Sequence, residues 1–103
     1  MILPLFKERV PYQFETMLDG DVYTFELHYN PDYDFFTVDI SRHGEVILYG
    51  EKITYGQPLF RHITDYRLPN VDIVPLDPSN EENKATYDTI EESVYLYVRD
   101  GDV

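Results

Sequence analysis

YQFETMLDGDVYTFELHYNPDYDFFTVDIS, residues 12–41, sets the architecture of this chain. Tyr12, Phe14, Thr16 and Leu18 alternate with Gln13, Glu15 and Met17. A period of two predicts a strand with one buried and one wetter face. Asp19-Gly20-Asp21 follows as a turn, because Gly20 accepts a positive φ without steric cost. In the second strand Tyr23, Phe25, Leu27 and Tyr29 take the core face, and Val22, Thr24, Glu26 and His28 the polar one. Asn30 to Asp34 supplies a second turn from Asn, Pro and Asp. The third strand, Phe35 to Ser41, points Phe36, Val38 and Ile40 inward.

Beyond this stretch the same grammar continues. Arg42-His43-Gly44-Glu45 is a turn built on Gly44. Val46 to Tyr49 is continuously apolar, which predicts a strand buried on both faces or set in a subunit interface. Gly50 predicts a bulge that bends the sheet toward barrel closure, and Lys52 to Tyr55 continues extended. Pro58-Leu59-Phe60, leading into Arg61-His62, reads as a short strand after a corner. Val71, Ile73 and Val74 form another strand, which Pro75 restricts to an edge or a short length. Asp77 to Lys84 is an exposed polar loop, Ala85 to Glu92 a helical turn or a continued loop, and Ser93 to Arg99 the last strand.

At the start, Ile2, Leu3, Leu5 and Phe6 are apolar, while Pro4 and Pro11 forbid a regular helix. Residues 1–11 therefore read as an arm, either packed on the core as an edge strand or docked on a neighbouring subunit. The expected organisation is an N-terminal arm (1–11), one β domain (12–99) and a short polar tail (100–103). Short strands at regular spacing make the chain all-β, a small antiparallel barrel or sandwich of about seven or eight strands.

Composition narrows the function classes. Twenty acidic residues against 8 basic ones give a net charge of −12 over 103 residues. Such a surface repels phosphate backbones and anionic membranes, so neither sequence-specific nucleic-acid binding nor membrane association is expected. Its plain reading is a well-solvated surface, and its sharper reading an acidic face for a basic partner or a wall beside passing DNA. The absence of cysteine removes disulfides, thiolate metal sites and cysteine nucleophiles. The first residues place charge after the apolar run, the reverse of a secretory signal, so synthesis and folding in a cytoplasm without export are expected.

No catalytic constellation emerges. His28, His43 and His62 lack the i, i+4 spacing of a helical zinc site and read as surface histidines, so no metal or cofactor is expected. Asn30 to Asp34 is too short for a calcium loop. Carboxylate pairs such as Glu81-Glu82 and Glu91-Glu92 lie in polar segments and read as solvated. The serines have no nucleophile-elbow context and the glycines form no phosphate loop. Binding is better supported than catalysis: ten tyrosines, an apolar arm and an apolar strand suit protein contacts. Candidate partner contacts are Leu3, Leu5, Phe6, Glu26, His28, Tyr33, Ile47 and Tyr49.

One family shares this order of features. Leu18-Asp19-Gly20 is followed by Tyr23-Thr24-Phe25-Glu26-Leu27-His28-Tyr29-Asn30 and Phe36-Thr37-Val38-Asp39-Ile40. Then come the turn at Gly44, Leu48-Tyr49-Gly50, Tyr55-Gly56-Gln57-Pro58-Leu59, Arg67-Leu68-Pro69 and Val71 to Leu76. Thr86 to Ile90 precedes the closing Val94-Tyr95-Leu96-Tyr97-Val98. From about Tyr12 to Val98 the chain resembles the small baseplate plug proteins of contractile-tailed phages, typified by a cyanophage baseplate plug. It departs from some relatives in being unusually acidic.

The resemblance implies a virion structural protein of the tail baseplate, made in the host cytoplasm. Such a protein contacts hub, spike or tube proteins, needs no cofactor and catalyses nothing. By analogy with threefold baseplates it is trimeric or bound to a trimeric hub. The competing expectations are a stand-alone β-barrel binding a peptide or carbohydrate through Tyr23, Tyr29 and Tyr33, and a hydrolase with converging carboxylates.

Overall fold

A computed structural model describes residues 1–100, so of the expected polar tail (100–103) only Asp100 falls within the described residues. Seven strands form in chain order: β1 (Ile2–Leu3), β2 (Tyr12–Leu18), β3 (Asp21–Asn30), β4 (Phe35–Arg42), β5 (Glu45–Lys52), β6 (Val71–Leu76) and β7 (Tyr95–Asp100). One 3-10 turn, Lys7–Arg9, lies between β1 and β2. The strands make two antiparallel sheets, one of order β2-β3-β4-β5 and one of order β1-β7-β6.

The four-stranded sheet is a meander written by its turns. β2 and β3 join through Asp19 (φ 53°) and Gly20 (φ 79°), and β4 and β5 through His43 (φ 55°) and Gly44 (φ 76°). Two consecutive positive φ values match the twist of the flanking strands and lock the register at Leu18↔Asp21 and Arg42↔Glu45. The β3–β4 turn is tied by Asn30 Oδ1, which accepts from the Asp32 and Tyr33 amides at 2.9 and 3.2 Å. The alternation then sends Tyr23, Phe25 and Leu27 of β3 and Phe36, Val38 and Ile40 of β4 into the core. Burying each of the large aliphatic or aromatic side chains contributes about 1.5–3 kcal/mol.

The second sheet closes over that face. β1 pairs with β7 (Ile2↔Tyr97, Leu3↔Leu96), and β7 pairs with β6 from Val71↔Asp100 to Leu76↔Tyr95. Leu3, Leu5, Ile73, Val94 and Leu96 join the inward residues of β3 and β4 in one cluster. The two sheets do not close into a barrel, because β2 and β5 are the edges of one sheet and β1 and β6 the edges of the other.

β5 departs from one of its two expectations, burial on both faces. It is an edge strand, not one buried on both faces: Val46 and Tyr49 are exposed, and Ile47 and Leu48 are half-buried against the core. The register slips between Val38↔Glu51 and Ile40↔Leu48 and again before Ser41↔Val46, so β5 carries two more residues than β4 opposite it. The first slip falls at Gly50 (φ 71°), the bulge its glycine announced. Bulges re-aim side chains, and here half of an apolar run turns to solvent instead of bending the sheet into a barrel.

The segment after β5 is not a regular strand either. It runs beside β6 with two backbone bonds, Gly56 N–H to Pro75 O (2.8 Å) and Leu59 N–H to Ile73 O (2.9 Å). Positive φ at Gly56 and Phe60 breaks the extended course between and beyond them. The segment covers the edge where Pro75 offers no donor. Residues 86–90 make a single turn, with Thr86 O accepting from the Ile90 amide at 3.0 Å, and do not continue as a helix.

Candidate functional site

The outer face of the four-stranded sheet carries the densest group of polar side chains that local folding brings together. Glu26 and His28 are two residues apart on β3 and so share its outer face. Asp39 of β4 lies directly opposite Glu26. His28 Nε2 is 2.7 Å from Glu26 Oε2 and 3.2 Å from Asp39 Oδ2. The remaining oxygen of each carboxylate is also held. Gln13 Nε2 of β2 donates to Glu26 Oε1 at 2.9 Å, and the Gly50 amide donates to Asp39 Oδ1 at 2.8 Å. The bulge at Gly50 thus aims a backbone donor at the group. A depression of about 280 Å³ opens beside it, with Glu26, Asp39, Val46 and Tyr49 on its walls.

The eight candidate contacts fall into three groups. Leu3 and Leu5 are core residues of this chain, 2% and 6% exposed. β1 pairs with β7, so of the two readings of the arm the chain takes the edge strand packed on the core. Glu26, His28 and Tyr49 gather on the outer face around the depression, while Ile47 of the same strand is half-buried against the core. Phe6 and Tyr33 are exposed elsewhere. Phe6 has Tyr12 beside it, ring centroids 6.2 Å apart, and the Arg9 guanidinium over its face. Tyr33, 80% exposed, sits at the tip of the β3–β4 turn.

The aromatic pocket imagined for Tyr23, Tyr29 and Tyr33 does not form. Tyr23 is a core residue whose hydroxyl donates to the Arg67 carbonyl oxygen at 2.8 Å. The Tyr29 ring packs between Phe36 and Tyr87, and its hydroxyl donates to Asp34 Oδ1 at 2.7 Å. A β-strand places Tyr23 and Tyr29 on the inner face, away from the Tyr33 turn tip.

Sequence reading passed over a second role of the carboxylates. Several of them anchor distant backbone. Asp19 accepts from the Asn70 amide, Asp34 from the Tyr87 amide, Glu51 from the Phe60 amide, and Glu91 from the Lys7 amide. Asp77 is buried and gathers the loop that follows it. Its Oδ1 accepts from the Ser79 amide and hydroxyl, and its Oδ2 from the Glu81 and Glu82 amides. The Ser79 bonds, with the loop amides, hold its carboxyl below the usual range. The only signal for this was the Asp-Pro-Ser-Asn string, which reads as a turn.

The same logic shifts other groups. The Tyr87 amide and Tyr29 hydroxyl lower Asp34, and the bond to Asp34 pushes the Tyr29 phenol up to about 12. Arg67 donates from Nε and Nη2 to Asp65 and from Nη1 to Glu45, which lowers Asp65 to about 2 and raises Arg67. Arg67 is thus held in ion pairs, and His62 Nε2 lies 3.5 Å from Glu51 Oε1.

Hydrogen-bonded carboxylates of this kind fasten loops. Among the described residues, no serine or threonine hydroxyl is bonded to a histidine, so no nucleophile–base pair is assembled. A larger depression, about 820 Å³, runs between the end of β2 and the ends of β6 and β7, with Leu18, Val71 and Val98 beside Asp19, Asp72 and Arg99. It holds no histidine. The family model described as Cyanophage baseplate Pam3 plug gp18 matches residues 1–101. No curated protein matches the chain.

Proposed function

The chain belongs to the cyanophage baseplate plug family, and from that premise we propose that it completes the central hub and tail-tube region of a contractile tail through protein–protein contacts. A structural role in a phage baseplate follows from the family, and it points away from enzymatic activity. The match over 1–101, nearly the whole chain, carries this reading.

The contacts we assign are Glu26, His28 and Tyr49 on the outer face, Tyr33 at the turn tip and Phe6 near the N-terminus. An exposed aromatic ring brings large contact area at small ordering cost. β5 adds an edge whose outer side pairs with no strand among the described residues. Ile47, half-buried, supports that edge from beneath. Leu3 and Leu5 would contribute only by holding β1 in place. Residues 1–11 then act as part of the domain, with Phe6 as their outward contact. A trimer, or a subunit bound to a trimeric hub, is the assembly this reading expects. The protein would be made in the host cytoplasm and end in the virion.

Chemical cross-linking and mass spectrometry of purified virions tests the proposal. Cross-links from Lys52, at the end of β5, to hub or tube proteins are expected. Absence of the chain from intact particles would overturn the reading. A particle-bound chain cross-linked only to distal tail-fibre proteins would remove the central position and keep the baseplate role.

A further inference from the structure

We propose that Glu26, His28 and Asp39 bind one divalent transition-metal ion on the outer face of the four-stranded sheet. They are the one set of three such side chains among the described residues whose ligand atoms all lie within 4.8 Å of one another. The donor set is one imidazole nitrogen and two carboxylate oxygens. That mixture suits zinc and its neighbours in the first transition row, whereas calcium and magnesium take oxygen donors.

The spacing is already close to a coordination shell. Around a tetrahedral zinc, with metal–ligand distances of about 2.0–2.2 Å, neighbouring donors stand roughly 3.3 Å apart. His28 Nε2 to Asp39 Oδ2 is 3.2 Å, and the shorter 2.7 Å to Glu26 Oε2 opens by a small rotation of a flexible side chain. On binding, the ion sits between His28 Nε2, Glu26 Oε2 and Asp39 Oδ2. The Gln13 and Gly50 donors keep each carboxylate oriented through its other oxygen, as outer-sphere partners do in metal sites.

Two independent observations point to a cation here. Glu26 and Asp39 are direct cross-strand neighbours, and like charges in that relation destabilise a sheet. Among the described residues, no lysine or arginine lies within 4 Å of either carboxylate, and His28 is their only ion-pair partner. The other histidines differ: His43 meets only Asp21, and His62 only Glu51. Second, the 280 Å³ depression is lined by Glu26 and Asp39 and not by His28, so open space for a further ligand lies on the carboxylate side of the group.

Isothermal titration of untagged, chelator-treated protein with zinc chloride tests this. One equivalent of zinc is expected to bind saturably. His28→Gln should weaken binding by at least about 100-fold, more than the loss of an outer-sphere partner produces. Asp39→Asn, which keeps the acceptor for Gly50, should also weaken it strongly. His43→Gln and His62→Gln should leave it unchanged. Amide NMR spectra keep the test independent of folding: the variants should retain the wild-type fingerprint, and zinc should shift resonances around His28 and Gly50 in the wild type only. No saturable uptake, or uptake equal in His28→Gln, would overturn the site and leave an ordinary histidine–carboxylate ion pair.

Discussion

The two sheets bury similar side chains but are assembled across very different lengths of chain. Residues 12–52 fold into four consecutive strands, each paired with the next. The other sheet joins residues 2–3 to 96–97 and residues 71–76 to 95–100. Short connections close at small entropic cost, and long ones must be repaid by packing. In the meander, two of the three turns are two residues long and set the register from residues adjacent in sequence. In the three-stranded sheet, β1 has two paired residues and a bond from the Val98 amide to the Met1 carbonyl oxygen, so its place depends on Leu3 and Leu5 being buried. The meander therefore serves as the template, and the second sheet is stable because it covers it.

The strongest test removes the template's centre. Phe25, 1% exposed and stacked on Phe14, touches the shared core. Phe25→Ala should cost about 3–5 kcal/mol, read as a lower urea midpoint with both sheets lost in one transition. A loss under about 1 kcal/mol would mean that the sheets do not share one core. Leu3→Ala comes next, at about 2–3 kcal/mol, because an edge strand of two residues can partly collapse into the space. Amide exchange should rise first at β7. Equal acceleration in the meander would remove the distinction between the two regions.

Turn chemistry gives a smaller effect. Gly44→Ala puts a side chain at φ 76° and should cost about 1 kcal/mol, confined to the β4–β5 hairpin. Acid affects the loops instead. Asp21, Asp34, Asp65 and Asp77 have folded-state pKa values below their unfolded ones. Their contribution is complete above the ordinary carboxylate value near pH 3.9 and is lost as pH falls through the folded values, about 2 for Asp65. Tyr29 has the opposite sign: its contribution is present below about pH 10 and lost as pH rises through about 12. A pH series of denaturation midpoints should therefore fall at both extremes. A flat acid limb would show that these carboxylates fasten loops without stabilising the fold. Smallest in stability are Tyr33→Ala and Tyr49→Ala, expected within about 0.5 kcal/mol of wild type. Their effect should appear as reduced incorporation into particles, and wild-type incorporation would remove both rings from the proposed interface.

Much of this was legible beforehand, for identifiable reasons. The inward faces of β2, β3 and β4 follow from strict alternation, and Gly20 and Gly44 named their own turns. Burial of β5 on both faces, one of its two readings, failed because hydrophobicity alone does not distinguish a doubly buried strand from an edge strand twisted by bulges. Gly50 showed that a bulge was there but not which way Val46 and Tyr49 would turn. His28 gave no sign of its neighbours, since Glu26 is adjacent only on a strand and Asp39 only through the β3–β4 register.

Local chemistry was thus enough for the all-β class, the meander and its turns. All of these depend on residues close in sequence, where periodicity and φ preference act directly. The placement of Leu3 and Leu5 in the core, the use of Asp19, Asp34 and Glu51 as anchors, and the grouping of Glu26, His28 and Asp39 came from three-dimensional packing. Each joins groups whose separation along the chain carries no geometric information, and only burial and sheet register bring their atoms within bonding distance.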